Sequence, residues 1–352
     1  MNQTNTPPRS VPSLPQNILF GVIRFVAYFA LAIIVFAVVL LIAGKDPIQA
    51  YSDILTGTLG STYGLSEVLV KMIPLVLTAV AVAVPARIGL INVGGEGQFY
   101  MGALFATWGA LTFPMLPAGL LIPLMMLLGF VGGGLWAGIA GVLRALGLVT
   151  ETLSTLLLNY VAILIVSFFL FGPWRDAKSA YFPQSPQFVT AAQLPHFGDT
   201  RVHLGLVFAL VAVVVFAFMI SRTRWGLEMR AIGGNTEAAR RNGITIGRYF
   251  VAIMFVSGGL AGLAGMAEAS AIQGRLVQGL SPGYGFIGFL IAWLAGNNPW
   301  GILVMAFLLA VISAGGDILQ MSQGLPFAVV NILMALILFF VLSRRPRKVG
   351  AS

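Results

Sequence analysis

The chain has 352 residues, 58% hydrophobic and only 9% charged, where soluble domains carry about a quarter charged residues. That balance excludes a soluble protein and leaves a polytopic membrane protein, since no segment is polar enough to form a soluble domain. The net charge of +9 must be read against topology before it says anything about nucleic acid, and the absence of cysteine removes disulfides, thiolate nucleophiles and cysteine-based metal sites.

In chain order, residues 1–17 are polar and proline-rich and read as a disordered cytoplasmic tail. The apolar stretch behind them is too long for a signal-peptide core and reads as an uncleaved membrane helix. A span needs roughly 20 apolar residues. Spans are predicted at Phe25–Gly44, at Met72–Ala86 with Pro74 and Pro85 as kinks, and twice within Gly97–Leu143 with a turn at Pro114 and Pro117. Further spans are Thr152–Trp174, Val202–Ser221, Tyr249–Ala267, two within Leu276–Gly316 separated at Gly296–Gly301, and Ile318–Leu342. The expected fold is an all-α polytopic membrane protein of about ten transmembrane helices, with a transmembrane domain over 18–345 and a cytoplasmic tail over 346–352.

Placing both termini in the cytoplasm puts 14 of the 20 Lys and Arg residues inside and 6 outside. The inside set includes Arg9, Arg24, Arg87, Arg144, the loop arginines from Arg222 to Arg248, and the run from Arg344 to Lys348. Lys45, Lys71, Arg175, Lys178, Arg201 and Arg275 fall outside. The reverse orientation would invert this bias, so the positive charge is mostly topological and nucleic-acid binding gains little support. Two polar excursions result: an outer loop over 173–203, rich in Pro and aromatics, and an inner loop over 222–248. "TLLLNYVAILI" from Thr155 echoes "FAVVNILMALIL" from Phe327, aligning Asn159 with Asn331, and "GEGQFYMGALFA" shares spacing with "GYGFIGFLIAWLAG". These pairs cross in opposite senses, the pattern of an inverted repeat; chance similarity between apolar helices is the alternative.

Enzyme chemistry finds no purchase. There is no G-x-x-x-x-G-K-[ST] phosphate loop, so the chain binds no ATP by that route. His196 and His203, without cysteine or a carboxylate cluster, make a poor metal site and cannot assemble a Ser-His-Asp set. Two stretches carry signal instead. In "ARIGLINVGGEGQFYMGA" (Ala86–Ala103), Asn92, Glu96 and Gln98 stand among Gly94, Gly95 and Gly97. Glycines that break the helix let another begin at Gln98, whose N-terminus favours an anion such as Glu96. Irregular backbone survives at membrane depth only against protein or a water-filled path. Asn92, Glu96 and Gln98, with Asn159, are therefore expected to line or shape a solute pathway near its inner half; alternatively, Glu96 caps the broken helix and never touches solute.

The second stretch is "SRTRWGLEMRAIGGNTEAARRNGITIGRYF" in the inner loop. Asn235 is a good N-cap, Glu237 suits the positive first turn, Ala238 and Ala239 favour helix, and Arg240 and Arg241 suit its negative end. Asn242 and Gly243 suit a terminating left-handed turn. The prediction is two turns of helix fixed at both ends, presenting a surface; a solvated loop needing no partner is the competing explanation.

This loop resembles the coupling loop of ABC-importer permeases of the branched-chain amino acid, ribose and nucleoside superfamily. Gly226, Arg230, Ala231, Gly233, Asn235, Ala238, Ala239, Gly243 and Ile244 fill the pattern G-x-x-x-R-A-x-G-x-N-x-x-A-A-x-x-x-G-I. "GLINVGGEGQFYMGA" resembles the G-L-x-N-I-G-x-E-G-Q signature of the nucleoside and simple-sugar branch, with Val93 in place of the usual Ile. The resemblance implies a bacterial plasma-membrane transport subunit, paired with a second homologous permease and fed with nucleosides by an outer substrate-binding lipoprotein. A cytosolic ABC ATPase, not this chain, would bind ATP and Mg. It assigns ATPase coupling to Arg230, Gly234, Asn235, Glu237, Ala238, Ala239 and Gly243. Gly134-x-x-x-Gly138 and Gly258-x-x-x-Gly262 supply small faces for rigid helix packing. Trp174, Tyr181 and Phe182 in the outer loop offer a surface for the binding protein, or a plain solvated loop. Simple sugars are the nearest substrate alternative. An ion-coupled secondary transporter using Glu96, Glu268 and Asp317 is the alternative of another class.

Overall fold

The computed structural model describes residues 14–179 and 182–342. The first 13 residues with Arg9, Tyr181, and the run from Arg344 through the 346–352 tail lie outside the described residues. All regular elements among the described residues are helical.

Two compact units divide the chain. Among the described residues, one comprises 14–53 and 319–342. It holds α1 (Leu14–Ile42) and α13 (Phe327–Leu342), which pack against each other. α1 starts inside the stretch expected as tail, where Pro15 suits a first helical turn. Tyr51 Oη donates to Ile33 O at 2.7 Å. Asp53 accepts from Ser322 Oγ and Gln323 Nε2, both at 3.0 Å.

The second unit covers 54–318. The boundaries between units fall within α2 (Pro47–Leu59) and α12 (Pro299–Gln323). At its centre is α3 (Thr62–Ala86), capped by Ser61 Oγ accepting from Gly64 N at 3.0 Å. α3 is buried over 89% of its most apolar stretch, against 22% for α7 (Gly205–Arg222), which separates a central span from a peripheral one. α3 packs against α7, α10 (Ile246–Ala267) and α11 (Tyr284–Leu294). α4 (Gly95–Thr112) packs against α5 (Ala118–Ala145), α6 (Glu151–Phe171), α10 and α11. Thus α3 meets α10, α4 meets α11, and each also meets the other's partner, the exchange that an internal two-fold relation between 62–112 and 246–294 would give. Asn159 is 1% exposed whereas its aligned counterpart Asn331 is exposed, so those two positions share no environment.

Six helices among the described residues are long and apolar enough to cross a membrane, or seven if the bent pair α1–α2 counts as one span. That is fewer than the expected ten. α11 has only 11 residues because Leu276–Gly283, expected inside a span, is non-helical up to Gly283 at φ +102°. The last predicted span does not run unbroken from Ile318: α12 ends at Gln323, Gly324 takes φ +67°, and Pro326 disfavours helix at the residue before it. α3 begins ten residues ahead of Met72 and takes in Glu67 and Lys71, whose charges are paired, Lys71 with Asp317 at 2.8 Å and Glu67 with Arg201 at 2.9 Å.

The seam between α5 and α10 is built on small residues, in a register one residue from the expected one. Cβ atoms at Gly133 and Gly258 would each collide with the other's helix, and one at Gly262 would collide with Gly129 O. Gly129 and Gly133 form the α5 half of the seam, whereas Gly138 has no neighbour closer than 4.0 Å. Gly134 instead faces Phe255.

Candidate functional site

The chain between α3 and α4 unwinds at Arg87–Gly94, where Ile88, Leu90, Asn92 and Gly94 are buried and Gly89 and Ile91 are exposed. Buried backbone groups require partners. The N–H groups of residues 87–90 return to carbonyls at the end of α3, and α6 supplies partners farther on from one stripe. Glu151 Oε1 accepts from Ile91 N at 3.1 Å, Thr155 Oγ1 from Val93 N at 3.2 Å, and Asn159 Oδ1 from Gly97 N at 2.8 Å. Asn159 Nδ2 also donates to Val93 O at 2.9 Å. Residues 151, 155 and 159 are four apart, so they share one helical face. Arg144 Nε, at the end of α5, holds the second Glu151 oxygen at 2.9 Å.

Asn92 and Gln98 close the break from within. Their amides exchange two hydrogen bonds of 2.9 Å, and Asn92 Oδ1 accepts from Gly94 N at 2.8 Å. Asn92 Nδ2 also donates to Ser257 Oγ on α10 at 2.7 Å, and Ser257 in turn donates to Ala81 O on α3. The glycines here serve close approach. A Cβ at Gly94 would lie 2.8 Å from Thr155 Cβ, at Gly97 2.9 Å from Asn159 Cα, and at Gly95 3.3 Å from Gly285 Cα. α4 consequently starts at Gly95, three residues before the expected Gln98, with Gly95 and Gly97 inside its first turn.

Glu96 lies between two helix N-termini. It occupies the first turn of α4, and its Oε2 accepts from Gly285 N in the first turn of α11 at 2.8 Å. It therefore caps the opposite helix, α11. Ser281 Oγ completes that cap by accepting from Gly283 N at 3.1 Å and Tyr284 N at 2.9 Å. Tyr100 Oη accepts from Ser281 N at 3.2 Å, and Thr78 Oγ1 donates to Tyr284 O at 3.0 Å. Asn92, Glu96, Gln98 and Asn159 are all at most 4% exposed, bound into a scaffold that crosses α3, α4, α6, α10 and α11.

The second site is the helix pair α8 (Arg224–Gly234) and α9 (Thr236–Arg241). α8 is capped by Thr223 Oγ1 accepting from Gly226 N at 3.1 Å. Its Gly226, Met229, Arg230 and Gly233 share one face. A Cβ at Gly226 would collide with Met219 O of α7, and one at Gly233 with Arg87 O at the end of α3. α8 is thus seated on the ends of two spans. Tyr249 donates to Glu228, which Arg224 also meets at 2.7 Å. Those two bonds, the Tyr249 bond first, hold the Glu228 carboxyl below its usual pKa.

α9 follows its expected boundaries. Asn235 Oδ1 accepts from Ala238 N at 3.0 Å, Glu237 meets Arg240 and Arg241 at 3.3 Å each, and Gly243 takes φ +85°. Ala239 is buried, while Gly234, Asn235, Glu237, Ala238 and Gly243 are exposed. Arg230 stands apart from this set, on the α8 face turned toward Arg87.

At the opposite, Glu67 end of α3, residues 182–194 lie across the chain that follows α10. Ser185 N donates to Leu276 O at 2.9 Å, Phe188 N to Gly274 O at 2.7 Å, and Ser270 Oγ to Ala192 O at 2.6 Å. Ser270 belongs to a π-helical turn, Glu268–Gln273, that continues α10; Glu268 is buried at its start. The Trp174 and Phe169 rings lie 4.6 Å apart, tilted at 45°, and Phe182 is exposed. His203 is buried with Nδ1 accepting from Gly205 N at 3.2 Å; burial first, then His196 and Arg201, lower its pKa to about 4.

Sequence reasoning selected the four buried polar residues of the break but missed the groups that hold them and its backbone: Glu151, Thr155, Ser257 and Ser281. The spacing of Glu151, Thr155 and Asn159 was an available signal. Ser257 was hidden in a small-residue run read only as packing.

The model of the branched-chain amino acid transport system permease component matches residues 64–342. A glucose ABC transporter permease of Haloferax volcanii is 38% identical over 89% of this chain and 84% of its own. A nucleoside ABC transporter permease of Lactococcus lactis is 33% identical over 87% of this chain and 86% of its own. A guanosine ABC transporter permease of Bacillus subtilis is 32% identical over 87% and 89%, respectively.

Proposed function

The chain belongs to the branched-chain amino acid transport system permease family, and from that premise we propose that it is the membrane-spanning subunit of an ABC importer for nucleosides. It is a multi-pass membrane protein and a transport subunit. The single observation that carries the mechanism is the rigid seat of α8 on Arg87 O, next to an exposed, doubly capped α9. A cytosolic ATPase, which holds ATP and Mg, receives α9 in a groove. Its closure displaces α9, and α8 passes that displacement to the end of α3 and the unwound segment beyond it. The scaffold of Asn92, Gln98, Asn159 and Glu96 keeps that segment in one piece while α3, α4, α10 and α11 tilt. These residues shape the pathway wall through its backbone. A second homologous permease supplies the facing wall. Both termini lie in the cytoplasm of a bacterial plasma membrane, and an outer lipoprotein delivers solute to the Glu67 end, against the 182–194 strap.

Nucleosides are favoured by "GLINVGGEGQ" at residues 89–98 and by the nucleoside and guanosine names of two relatives. The Haloferax relative's name supports a second reading, a simple sugar such as glucose. The test is co-purification from native membranes followed by stimulation of ATP hydrolysis. The native chain is expected to bring down an ATPase, and a Gly234→Arg, Glu237→Arg double substitution to lose it. Guanosine or another nucleoside should stimulate hydrolysis with the binding protein present. Stimulation by glucose alone would transfer the assignment to sugars, and recovery of no ATPase with the native chain would refute the coupling role of α9.

A further inference from the structure

A small cavity of about 170 Å³ opens where α8 meets the ends of α3 and α7, lined by Arg87, Ile220, Ser221, Gly226, Met229 and Arg230. Two arginines line it and, among the described residues, no carboxylate does. Among the described residues Arg144, Arg201, Arg224, Arg240, Arg241 and Arg275 each meet a carboxylate, whereas Arg87 and Arg230, like Arg175, Arg222 and Arg248, do not; Arg87 and Arg230 are the two of these that line one cavity. Arg87 spends one nitrogen on Asn297 O at 2.6 Å and lies 5.7 Å from the Phe216 ring centre, while its buried Nε has no hydrogen-bond partner. A buried donor left unmet is costly, and two like charges without a counter-charge repel. Both conditions act on Arg87, whose pKa is lowered by burial first and Arg230 second.

We propose that this cavity binds a phosphate group, and that its source is the headgroup of an anionic lipid. A phosphate offers several acceptor oxygens and a charge of the needed sign, and guanidinium forks fit its geometry. The depth argues for a lipid. Arg87 is the first residue past α3, and Ile220 and Ser221 are among the last of α7, so the cavity lies where the spans end. α7 exposes Val207, Val211, Val214, Val215 and Phe218 along its length, a face suited to acyl chains leading to that level. A headgroup seated here would bridge α3, α7 and α8.

The test uses the full-length chain in nanodiscs of phosphatidylcholine, with or without phosphatidylglycerol. Thermal unfolding is followed, and retained lipid is counted by native mass spectrometry. Phosphatidylglycerol is expected to raise the unfolding midpoint and to remain bound, and Arg230→Gln to weaken its retention roughly fivefold, the effect of about one basic residue near a membrane surface. Ser221→Glu, which sets a carboxylate in the cavity with both arginines kept, provides a second variant if Arg230→Gln does not fold, and should abolish retention. Inorganic phosphate added to phosphatidylcholine discs tests the free ion. If it alone reproduces the shift, and Arg230→Gln removes it, the phosphate site stands with the ion as its source. Equal retention of phosphatidylglycerol by the native chain and both variants would overturn the proposal. So would a substitution effect seen only as lost ATPase binding, which would make the cavity the seat of a protein carboxylate.

Discussion

Asn159 decides more than its single side chain suggests. Its amide meets Gly97 N in the first turn of α4 and Val93 O in the unwound segment, and it is 1% exposed. Replacing it with Leu keeps the volume and leaves both groups without partners in a dry interior. Each unmet buried group costs about 1–3 kcal/mol, so Asn159→Leu is expected to destabilise the chain by about 2–5 kcal/mol. Asn159→Asp, which keeps the acceptor for Gly97 N and removes the donor to Val93 O, should unfold at a lower temperature than the native chain but above Asn159→Leu. Unfolding in detergent followed by near-UV circular dichroism orders the three proteins. Equal midpoints for the native chain and Asn159→Leu would show that water, not Asn159, satisfies the break.

The outer stretch from the 182–194 strap to Leu204 shows what sequence patterns carry at the scale of an element and what they omit. His203 anchors its far end, neutral and buried, beside His196 and Arg201. Its pKa is about 4 in the folded chain against an ordinary 6.5. Between these values the unfolded chain binds the proton and the folded chain does not, so stability falls as pH drops from 6.5 toward 4. The loss reaches at most about 3 kcal/mol. His203→Gln is expected to flatten this slope, measured as unfolding midpoint against pH; an unchanged slope would assign it to other groups. Such burial could not be read from the sequence, because two histidines in a polar, proline-rich loop look solvated. α9 was legible to the residue, because its caps and terminating glycine are local chemistry. The α5–α10 seam was half legible: the Gly258-x-x-x-Gly262 face is used, but several glycines on α5 left the register open until packing selected Gly129 and Gly133. The start of α3 was not legible, since the pairing of Lys71 with Asp317 and of Glu67 with Arg201 is a tertiary fact.

Across the whole molecule, the proposed coupling makes one mechanical line of the two sites. The scaffold of the break is rigid because its hydrogen bonds cross five helices, and the exposed α9 is joined to it through α8, Gly233 and Arg87 O. A solid connection of this kind transmits displacement only if the contact at Gly233 stays close in both states. Gly233→Ala puts a methyl group into Arg87 O and must push α8 away from α3. The strain of such overpacking is about 1–3 kcal/mol, too little to unfold a membrane bundle but enough to loosen one seat. In the reconstituted importer, ATP hydrolysis is expected to continue while solute uptake per ATP falls several-fold. Gly234→Ala, one residue on and facing open space, should change that ratio far less. If Gly233→Ala lowers the unfolding midpoint yet leaves uptake per ATP at the native value, the α8–Arg87 contact only supports the fold, and force must reach the unwound segment by another route, with α10 the next helix to test because α9 packs against it directly.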